Sequence, residues 1–440
     1  MGEIEGAKAQ WLKGSKAKNN KVMKHTRRQF IGTALAGTAA AALPLLSFQS
    51  DKPKEKYNTL DEILKKPVFK KELFSEPVII ETLDLLRYKN TFLCRVRSKD
   101  GATGIAVANN DQMVSLYPIF VKRLQPLFIG KDARDLEKLI DEAYVYQSNY
   151  KMQSLALWVP LATIEFAILD MLGRISGKSI GELIGEIHNR KIAVYQANGE
   201  RGITPEVTIE HLLKEVGESK AKALKFKVGG RMSNNFESPS GRSEKLIPLV
   251  RKTFGDKMII YADSNGSYTA DEAIRIGRLM EEYHYAFYEE PVPFDWYEET
   301  REVRDALKIP IAGGEQEASI HAFRWLIAND VLQVVQPDMF YFGGMVRSVK
   351  VARMAEAFGK KCTPHISGSG IGYLYMMHFA SSIPNAGPFH EFKGFNDELP
   401  FTCSTSTLSS DDGVVTVPSG PGLGIEIDPE YINKHAIVKI

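Results

Sequence analysis

The sequence predicts an α/β fold: a (β/α)8-type TIM barrel with an α+β N-terminal capping domain that the C-terminal segment completes. Two patterns indicate the barrel. From about Ile192, eight short apolar runs alternate with amphipathic helical stretches, and each run ends in polar side chains. A doubly wound open sheet is the alternative. Its first strand is usually followed by a glycine-rich phosphate loop, and the sequence QANGERG is not such a loop.

The barrel is predicted to occupy residues 191–400. Its candidate strands, in chain order, are IAVYQANG, LKFKVGG, MIIYADSNG, AFYEEP, IPIAGGE, VLQVVQPD, KKCTPHISG and PFHEFKG. Stretches such as TADEAIRIGRLMEEY and SIHAFRWLIAND separate them and have the apolar spacing of amphipathic helices. Strands that alternate with helices in this way are typical of parallel sheets.

The capping domain is predicted over residues 51–190. After a Lys- and Glu-rich linker at Asp51–Lys56, the sequences EPVIIETLDLLRY and TFLCRVRSKDGATGIAVA indicate antiparallel strands, with KDGATG as a turn. Helical patterns follow at Met113–Pro126 and Ala133–Tyr146. The segment 401–440 contains DDGVVTVPSGPGLGIEID, which indicates a hairpin-like piece that returns to the capping domain.

One helix of the capping domain, LATIEFAILDMLGRISG, is apolar on nearly every side and is therefore predicted to be buried. Gly177 provides its stop. Glu165 and Asp170 lie inside this run, where we expect them to be satisfied core carboxylates or partners of helix ends rather than catalytic groups.

The first 50 residues have the pattern of a Tat signal peptide and leader. Arg27-Arg28 precedes an Ala- and Gly-rich apolar run at 31–46, which is shorter than the roughly 20 residues that span a bilayer. The sequence therefore predicts export by the Tat route to the periplasm, with no stable membrane anchor after the signal is removed. Translation from Met1 and from Met23 both remain open, as does the cleavage site.

The bulk composition is that of an ordinary globular protein. The chain has 440 residues, 44% of them hydrophobic, and a formal net charge of +2. This charge argues against binding to nucleic acid or to a membrane surface by electrostatics alone. Cys94, Cys362 and Cys403 are far apart and form no CxxC pair, so neither a disulfide framework nor a zinc site is expected.

The second candidate strand contains two lysines, Lys225 and Lys227, in the sequence KALKFKVGG. They alternate with apolar residues, so both lie on one face of the strand. In a layered α/β fold both faces of a strand are usually buried. Two neighbouring lysines on such a face require a function or a charged partner.

Carboxylates end three consecutive candidate strands. Asp263, Glu289 and Glu315 follow one another at intervals of 26 residues, about one strand–helix unit. The carboxyl ends of barrel strands meet at one rim, where barrel active sites lie. Three carboxylates crowded there would repel one another, and a hard divalent cation removes that repulsion. The sequence therefore predicts a Mg²⁺ site.

The polar series continues around the barrel. Asp338 ends the sixth candidate strand, His365 the seventh and Glu391 the eighth, while Lys225 and Lys227 end the second. One polar residue at a strand end is commonly a cap or a surface residue. A nearly complete ring of such residues is typical of an active site.

This ring resembles the enolase superfamily, in particular its mandelate racemase subgroup, from about Tyr57 through the barrel to PGLGIEID. The matching motifs are KFK, ADSNG, YEEP, GGE, PD and PH. The resemblance implies Mg²⁺ at Asp263, Glu289 and Glu315. It implies a base on each face of the substrate, one of them Lys227 and the other His365 paired with Asp338.

The resemblance gives the remaining residues supporting roles. Lys225 would bind the substrate carboxylate and disfavour a second positive charge on Lys227, and Glu391 would hydrogen-bond the enolate or carboxylate. The capping domain would supply substrate-specificity loops, here between about Asp84 and Val96.

The implied chemistry is abstraction of the proton α to a carboxylate through a metal-stabilised enediolate. We expect dehydration of a sugar acid. Racemisation, epimerisation or cycloisomerisation of a hydroxy or sugar-derived acid is the alternative, and an exported carbohydrate-binding protein without turnover is the alternative of another class. The expected partners are a small carboxylate substrate and other copies of the chain in a homo-oligomer.

Overall fold

Eight parallel strands close into a barrel in this computed structural model, which describes residues 52–147, 152–367, 370–395 and 399–439. The predicted (β/α)8 architecture is therefore confirmed. The predicted signal segment lies outside the described residues. The predicted limits of the capping domain and barrel remain predictions.

The strands of the described ranges belong to a capping sheet, the barrel and a C-terminal segment. They are β1 (Ile80–Tyr88), β2 (Thr91–Ser98), β3 (Thr103–Val107), β4 (Lys191–Ala197), β5 (Ala223–Lys227), β6 (Ile259–Asp263), β7 (Phe287–Glu289), β8 (Ile311–Gly313), β9 (Val334–Val335), β10 (Lys361–Cys362), β11 (His390–Phe392), β12 (Phe401–Thr402), β13 (Val414–Thr416), β14 (Glu426–Ile427) and β15 (Ala436–Ile437).

The helices cover the outside of the barrel and one face of the capping sheet. They are α1 (Lys52–Lys65), α2 (Asn110–Ile119), α3 (Gln125–Phe128), α4 (Leu136–Val145), α5 (Leu155–Ser176), α6 (Ile180–Ile184), α7 (Pro205–Ser219), α8 (Arg242–Phe254), α9 (Ala270–Glu282), α10 (Tyr297–Ala306), α11 (Ile320–Ala328), α12 (Met345–Ala357), α13 (Gly372–Ser382) and α14 (Pro429–Asn433). A π-helical turn at Phe120–Leu124 joins α2 to α3, and 3₁₀ turns form at Lys71–Leu73 and Ala133–Asp135.

The barrel strands follow one another in chain order from β4 to β10, and β11 pairs with β4. The ring closes between β10 and the segment before β11. There the Cys362 N–H donates to the Asn385 carbonyl, and the Gly387 N–H donates to the Cys362 carbonyl, both at 3.0 Å. Closure directs the carboxyl ends of all eight strands to one rim.

Strand β5 has its apolar and its basic residues on opposite faces, as its alternation predicts. Leu224 and Phe226 belong to the large core between the strands and the outer helices. Ala223 belongs instead to a small cluster inside the barrel, with Tyr195 and Tyr261. Lys225 and Lys227 share the face of Ala223 and therefore point into the barrel, on the rim side of this largely aromatic cluster.

The capping sheet has the order β15-β1-β2-β3 and is antiparallel throughout. Its β1–β2–β3 meander and the KDGATG turn are as predicted. Strand β3 packs closely on α5, because a Cβ atom at Gly104 would lie 2.1 Å from the Ala167 carbonyl oxygen. Strand β15 comes from the C-terminal segment, so this segment completes the capping domain as expected.

Helix α5 is buried and ends at Gly177, which adopts a left-handed conformation (φ 67°). It is the one helix of the described ranges that is long and apolar enough to cross a bilayer, yet its most apolar window is 89% buried, as in a core helix. Glu165 accepts hydrogen bonds from the Met345 and Val346 N–H groups, and Asp170 accepts from Ile105 and Leu423. Both are core carboxylates, as the sequence predicts, and Asp170 is satisfied at both oxygens, whereas Glu165 Oε2 is buried without a hydrogen-bond partner in the described part of the chain.

Two local predictions were wrong. The segment Asp51–Lys56 was expected to be a linker, but α1 begins at Lys52 and packs on α11 and α12 through contacts that include the Asp61–Arg324 ion pair. The tail was expected to be hairpin-like. Instead β13 pairs with β4 of the barrel and β14 pairs with β12, because each short strand finds backbone partners elsewhere in the fold.

Candidate active site

The two lysines of β5 have separate acidic partners. Lys225 is 2% exposed, and its Nζ lies 2.8 and 2.9 Å from the two carboxylate oxygens of Glu289. Lys227, at the end of the strand, donates to Asp263 Oδ2. The register explains this geometry, because Lys227 pairs with Asp263 and Asp263 pairs with Glu289 on successive strands. Parallel pairing thus sets one basic and two acidic side chains side by side.

The three predicted metal ligands meet at the rim. Asp263, Glu289 and Glu315 are all buried, and one oxygen from each lies within 4.8 Å of the others. Asp263 and Glu289 end β6 and β7, whereas Glu315 comes two residues after β8. Gly314 makes this offset possible, because its φ of 105° is unfavourable for any residue with a Cβ atom.

Asn265 and Glu290 follow Asp263 and Glu289 closely in the chain, and they also adopt positive φ angles of 42° and 41°. Such angles are uncommon outside glycine and are often found at functional sites. Asn265 donates its backbone N–H to Asp263 Oδ1 at 2.7 Å, and this hydrogen bond helps to orient the carboxylate. Its side-chain amide lies 3.3 Å from Glu315.

Asp338 and His365 form the predicted pair on the other side of the ring. His365 Nδ1 lies 2.7 Å from Asp338 Oδ2, and the segments after β9 and β10 form a parallel bridge at these two residues. His365 Nε2 faces the acids, 3.4 Å from Glu315 Oε2 and 3.7 Å from Glu391 Oε2. The imidazole thus has one nitrogen held by Asp338 and the other directed into the site.

Glu391 on β11 completes the ring. Its Oε2 lies 3.7 Å from Lys225 Nζ, and its Oε1 lies 3.0 Å from Lys393 Nζ. All eight predicted site residues therefore lie at one barrel rim: Lys225, Lys227, Asp263, Glu289, Glu315, Asp338, His365 and Glu391.

Burial and charge act in opposite directions on the ionisable groups of this site. Burial disfavours the charged form of Lys225, but the carboxylates around it outweigh burial and raise its pKa well above the usual value. Burial and the carboxylates of Asp263 and Glu315 raise the pKa of Glu289 to about 7, against the opposing effect of Lys225. Burial would also raise the pKa of Asp263, but the ammonium groups of Lys227 and Lys225 outweigh it and lower that pKa.

The pKa values of His365 and Glu391 show the same competition. Burial alone would lower the pKa of His365, yet Glu315, Asp338 and Glu391 together raise it to about 10. Burial alone would raise the pKa of Glu391, yet Lys225, Lys393 and His365 lower it. The site as a whole is a dense arrangement of opposite charges in buried surroundings, where electrostatic effects are strong.

The donor set fits a hard divalent cation. Three carboxylates converge without enough ammonium groups to neutralise them, and the buried Glu315 Oε2 makes no hydrogen bond within the described part of the chain. Oxygen-only ligands suit Mg²⁺ better than zinc or copper. Asp263, Glu289 and Glu315 would hold the ion.

Several residues that sequence reasoning missed also contribute to the site. Gln336 donates from Nε2 to Glu289 Oε2 at 2.9 Å. Arg201 donates to Asn265 Oδ1 at 2.8 Å, and Arg231 lies 3.4 Å from the same oxygen. Gln336 had one available signal, since it lies two residues before Asp338 in the strand-end sequence VVQPD. The arginines lie in loops whose course the sequence pattern does not give.

The capping domain borders a cavity of about 210 Å³ whose lining includes Ser367, a hydrogen-bond partner of Asp338. Its lining includes Thr91–Leu93 and Asn109–Asp111 from the cap, with Phe340 and Ser367 from barrel loops. The segment from Asp84 to Val96, where specificity loops were expected, is the β1–β2 strand pair. Thr91–Leu93, within that segment, lines this cavity, and its role in substrate specificity remains a prediction.

Comparison with known proteins agrees with the family resemblance that the ring of strand-end polar residues indicates. Residues 208–431, just over half of the chain, match the family described as Enolase C-terminal domain-like. The chain belongs to the enolase superfamily. Within this superfamily the match covers the barrel from α7 onward and includes every predicted site residue.

The relatives of this enolase-superfamily chain include enzymes named for sugar-acid chemistry. It is 26% identical over 310 residues to the arabinonate dehydratase of Saccharolobus solfataricus, covering 70% of this chain and 79% of that protein. It is 28% identical over 316 residues to the D-galactarolactone cycloisomerase of Agrobacterium fabrum, covering 70% and 81%.

Among solved structures, the 3,6-anhydro-D-galactonate cycloisomerase from Zobellia galactanivorans is similar to this chain with a TM-score of 0.67 and 25% identity. The match covers 83% of this chain and the whole of that protein. The similarity therefore extends over the capping domain and the barrel together.

Proposed function

We propose that this enzyme catalyses the Mg²⁺-dependent dehydration of a sugar acid. The observation that carries the proposal is that two acid–base groups, Lys227 and His365, lie beside one carboxylate triad. Lys227 contacts Asp263, and His365, held by Asp338, lies beside Glu315. A site that only binds a sugar needs no such pair.

Lys227 is proposed to remove the proton α to the substrate carboxylate. It acts as a base only in its neutral form, and its Nζ lies at the rim beside Asp263, one of the three carboxylates. Lys225 can in turn bind the substrate carboxylate by a charge-assisted hydrogen bond. Proton removal leaves negative charge on the carboxylate oxygens.

Mg²⁺ bound by the three carboxylates would supply electrostatic stabilisation of that negative charge. Glu391 lies on the same rim, beside both Lys225 and His365. As a carboxylate it would accept a hydrogen bond from a sugar hydroxyl.

His365 is proposed to act as the general acid. Its Nε2 proton passes to the β-hydroxyl, the C–O bond breaks with both electrons going to oxygen, and water leaves. The resulting enol then becomes a 2-keto-3-deoxy acid. Asp338 accepts from Nδ1 and so holds the proton donor, Nε2, toward the substrate.

The named activities of the relatives support a sugar acid as the substrate class. Those relatives include the arabinonate dehydratase, together with proteins named as gluconate, xylonate and mannonate dehydratases at 23–25% identity. They differ in the acid that they act on. The substrate class is therefore better supported than any single substrate.

The test is a screen of mono- and diacid sugars by NMR and mass spectrometry in D₂O with Mg²⁺. We expect one member of the panel to lose water, and the Lys227→Ala and His365→Asn variants to leave it intact. Absence of turnover across the panel, with metal present in the protein, would contradict dehydration of a sugar acid. It would favour a non-sugar acid or the binding-protein alternative.

An isomerase is the second candidate, because bases on two faces also permit reprotonation from the side opposite to proton removal. Two of the similar proteins are named as cycloisomerases, and they favour this alternative. The same screen separates the reactions. Deuterium at the α-carbon with inverted configuration and no water loss would indicate an epimerase, and a ring-opened or lactone product would indicate a cycloisomerase.

We also propose that the enzyme acts in the periplasm after export by the Tat route. Support comes from the twin arginine and the short apolar run that follows it. Cell fractionation tests this, with Arg27→Lys/Arg28→Lys as the variant. We expect the variant to stay in the cytoplasm, and an equal periplasmic amount of both proteins would refute export by this route.

A further inference from the structure

A residue of the capping domain reaches the acid–base pair through one intermediate side chain. Asn109 directly precedes α2 and is 3% exposed. Its Oδ1 accepts from the Gln112 N–H at 3.2 Å, as a helix cap does. Its Nδ2 donates to Ser367 Oγ at 2.8 Å and lies 3.3 Å from the Ser367 carbonyl oxygen. Ser367 lies two residues after His365.

Ser367 in turn holds both oxygens of Asp338. Its backbone N–H donates to Asp338 Oδ2 at 2.5 Å, and its hydroxyl donates to Oδ1 at 3.1 Å. The N–H groups of Phe340 and Tyr341 also donate to Oδ1, both at 2.8 Å. With His365 on Oδ2, five donors surround this carboxylate, and its orientation is fixed from every side.

The direction of each hydrogen bond in the chain follows from the one before. The cap bond to Gln112 assigns Oδ1 of Asn109, so the amide nitrogen faces Ser367 and can only donate. The Ser367 hydroxyl therefore accepts from Asn109 and gives its own proton to Asp338. Asp338 accepts from the Nδ1–H of His365, which leaves Nε2 as the nitrogen that faces the acids of the site.

We propose that Asn109 and Ser367 are positioning residues for the Asp338–His365 pair, so that the capping domain takes part in acid–base chemistry carried out in the barrel. Its catalytic consequence rests on the proposed function, in which His365 acts as the general acid. Hydrogen-bond partners that orient metal-ligating side chains commonly affect activity by about 10- to 100-fold, and we expect an effect of similar size for partners that orient the Asp338–His365 pair.

The chain offers variants that separate positioning from mere helix capping. Asn109→Ser keeps an oxygen that can cap α2 but loses the amide that reaches Ser367. Ser367→Ala removes the hydroxyl, whereas Ser367→Thr keeps it. Ser319→Ala is the matched control, because Ser319 caps α11 through Ala322 and lies in no chain to the acid–base pair within the described ranges.

Two measurements on the Mg²⁺-loaded full chain test the proposal. The first is the NMR signal of the His365 Nδ1–H in ¹⁵N-histidine-labelled protein, assigned with His365→Asn, which needs no substrate. We expect this signal to shift or broaden in Asn109→Ser and Ser367→Ala. It should be retained in Ser367→Thr and Ser319→Ala.

The second measurement is steady-state kinetics with the panel acid that turns over. We expect kcat to fall about 10- to 100-fold in Asn109→Ser and Ser367→Ala, with KM within about twofold of the parent. An unchanged His365 signal in both variants, with only a lower melting temperature, would overturn the proposal. If no panel acid turns over, the proposed function fails but the NMR signal still decides the positioning role.

Discussion

Lys225 and Lys227 are two residues apart, yet their surroundings differ in a way that suits different tasks. Lys225 is enclosed by Glu289, Glu391 and the ring of Tyr195, whose centroid lies 5.2 Å from Nζ. Lys227 lies nearer the opening, with its side chain 12% exposed and Asp263 as its partner. The inner lysine is therefore a fixed cation suited to binding the substrate carboxylate, and the outer one can reach the α-proton.

Lys227→Ala should abolish exchange of the substrate α-proton at one face and lower turnover by about 10²- to 10⁴-fold, because a general base is lost. Deuterium incorporation followed by NMR measures this directly. Lys222→Ala is the control, since Lys222 is an exposed lysine of the same segment paired with Asp412. Unchanged exchange in the Lys227 variant would exclude it as the base.

The sequence predicts the charged members of the site well, because parallel strands bring their carboxyl ends to one rim whatever the loops do. Asp263 and Glu289 needed only the strand period to be found. Ser367 and Asn109 could not be found in this way. Hydroxyl and amide side chains are common in loops, and the partner of Asn109 lies 258 residues away.

At the scale of single elements, the turn after β8 shows how backbone conformation places a ligand. A Cβ atom at Gly314 would lie 2.6 Å from Phe323 of α11. The turn can therefore direct Glu315 inward only while position 314 lacks a side chain. Phe323 is fully buried and has little room to move.

Gly314→Ala should weaken Mg²⁺ binding by about tenfold or more, which corresponds to about 1.4 kcal/mol, because the turn must shift to relieve the clash. Isothermal titration calorimetry gives the affinity. Gly101→Ala is the matched control, since Gly101 also has a positive φ (90°) but no atom near the added Cβ. An equal loss of Mg²⁺ affinity in both variants would contradict a specific effect of the clash with Phe323.

Glu165 on α5 holds the N-terminus of α12, the helix that follows the Asp338 loop. Burial raises the pKa of this carboxyl to about 8, against the opposing effect of the Val346 and Met345 N–H groups. The folded state therefore holds the proton more tightly than the unfolded chain. The stability from this group is fully present below pH 4.5 and is lost as the pH rises through 8.

Glu165→Gln should remove this part of the pH dependence, because glutamine keeps the acceptor oxygen but does not ionise. The difference in unfolding free energy between parent and variant should change between about pH 5 and 8, by about 1.4 kcal/mol for each unit of pKa shift. Urea unfolding at several pH values measures it. If the unfolding free energies of the two proteins change with pH in parallel, Glu165 does not titrate in this range.

Elements without a strong apolar period were the hardest to predict. Helix α1 has the polar composition of a linker in its first turn, and its helical state depends on the surface of α11 and α12 beneath it. Strands β13 and β14 are three and two residues long. Strands so short depend on the backbone partners available elsewhere in the molecule rather than on their own pattern.

For the whole molecule, the three clustered carboxylates store repulsion that a cation would relieve. Adding Mg²⁺ to chelator-treated protein should raise the melting temperature. At a free Mg²⁺ concentration of about 100 times the dissociation constant, the free energy of unfolding should increase by about 2.7 kcal/mol. Differential scanning calorimetry measures the gain, and Asp263→Asn should reduce it. A melting temperature indifferent to Mg²⁺ would contradict a metal site at this triad.

The expected homo-oligomer remains a prediction at this scale. Analytical ultracentrifugation of the Mg²⁺-loaded chain would decide between a monomer and an assembly. An assembly would also change the exposure of surface residues such as Phe236, which is 68% exposed in the single chain.

The pairing of β15 with β1 has a consequence for how the protein folds. Leu86 pairs with Ile437, and the Val438 N–H donates to the Leu85 carbonyl, so the whole barrel lies between these two strands in the chain. Contacts between such distant segments have a high entropic cost of loop closure, and they therefore form slowly. Amide hydrogen exchange at this edge should therefore become protected last during refolding, after the barrel has brought the two segments together.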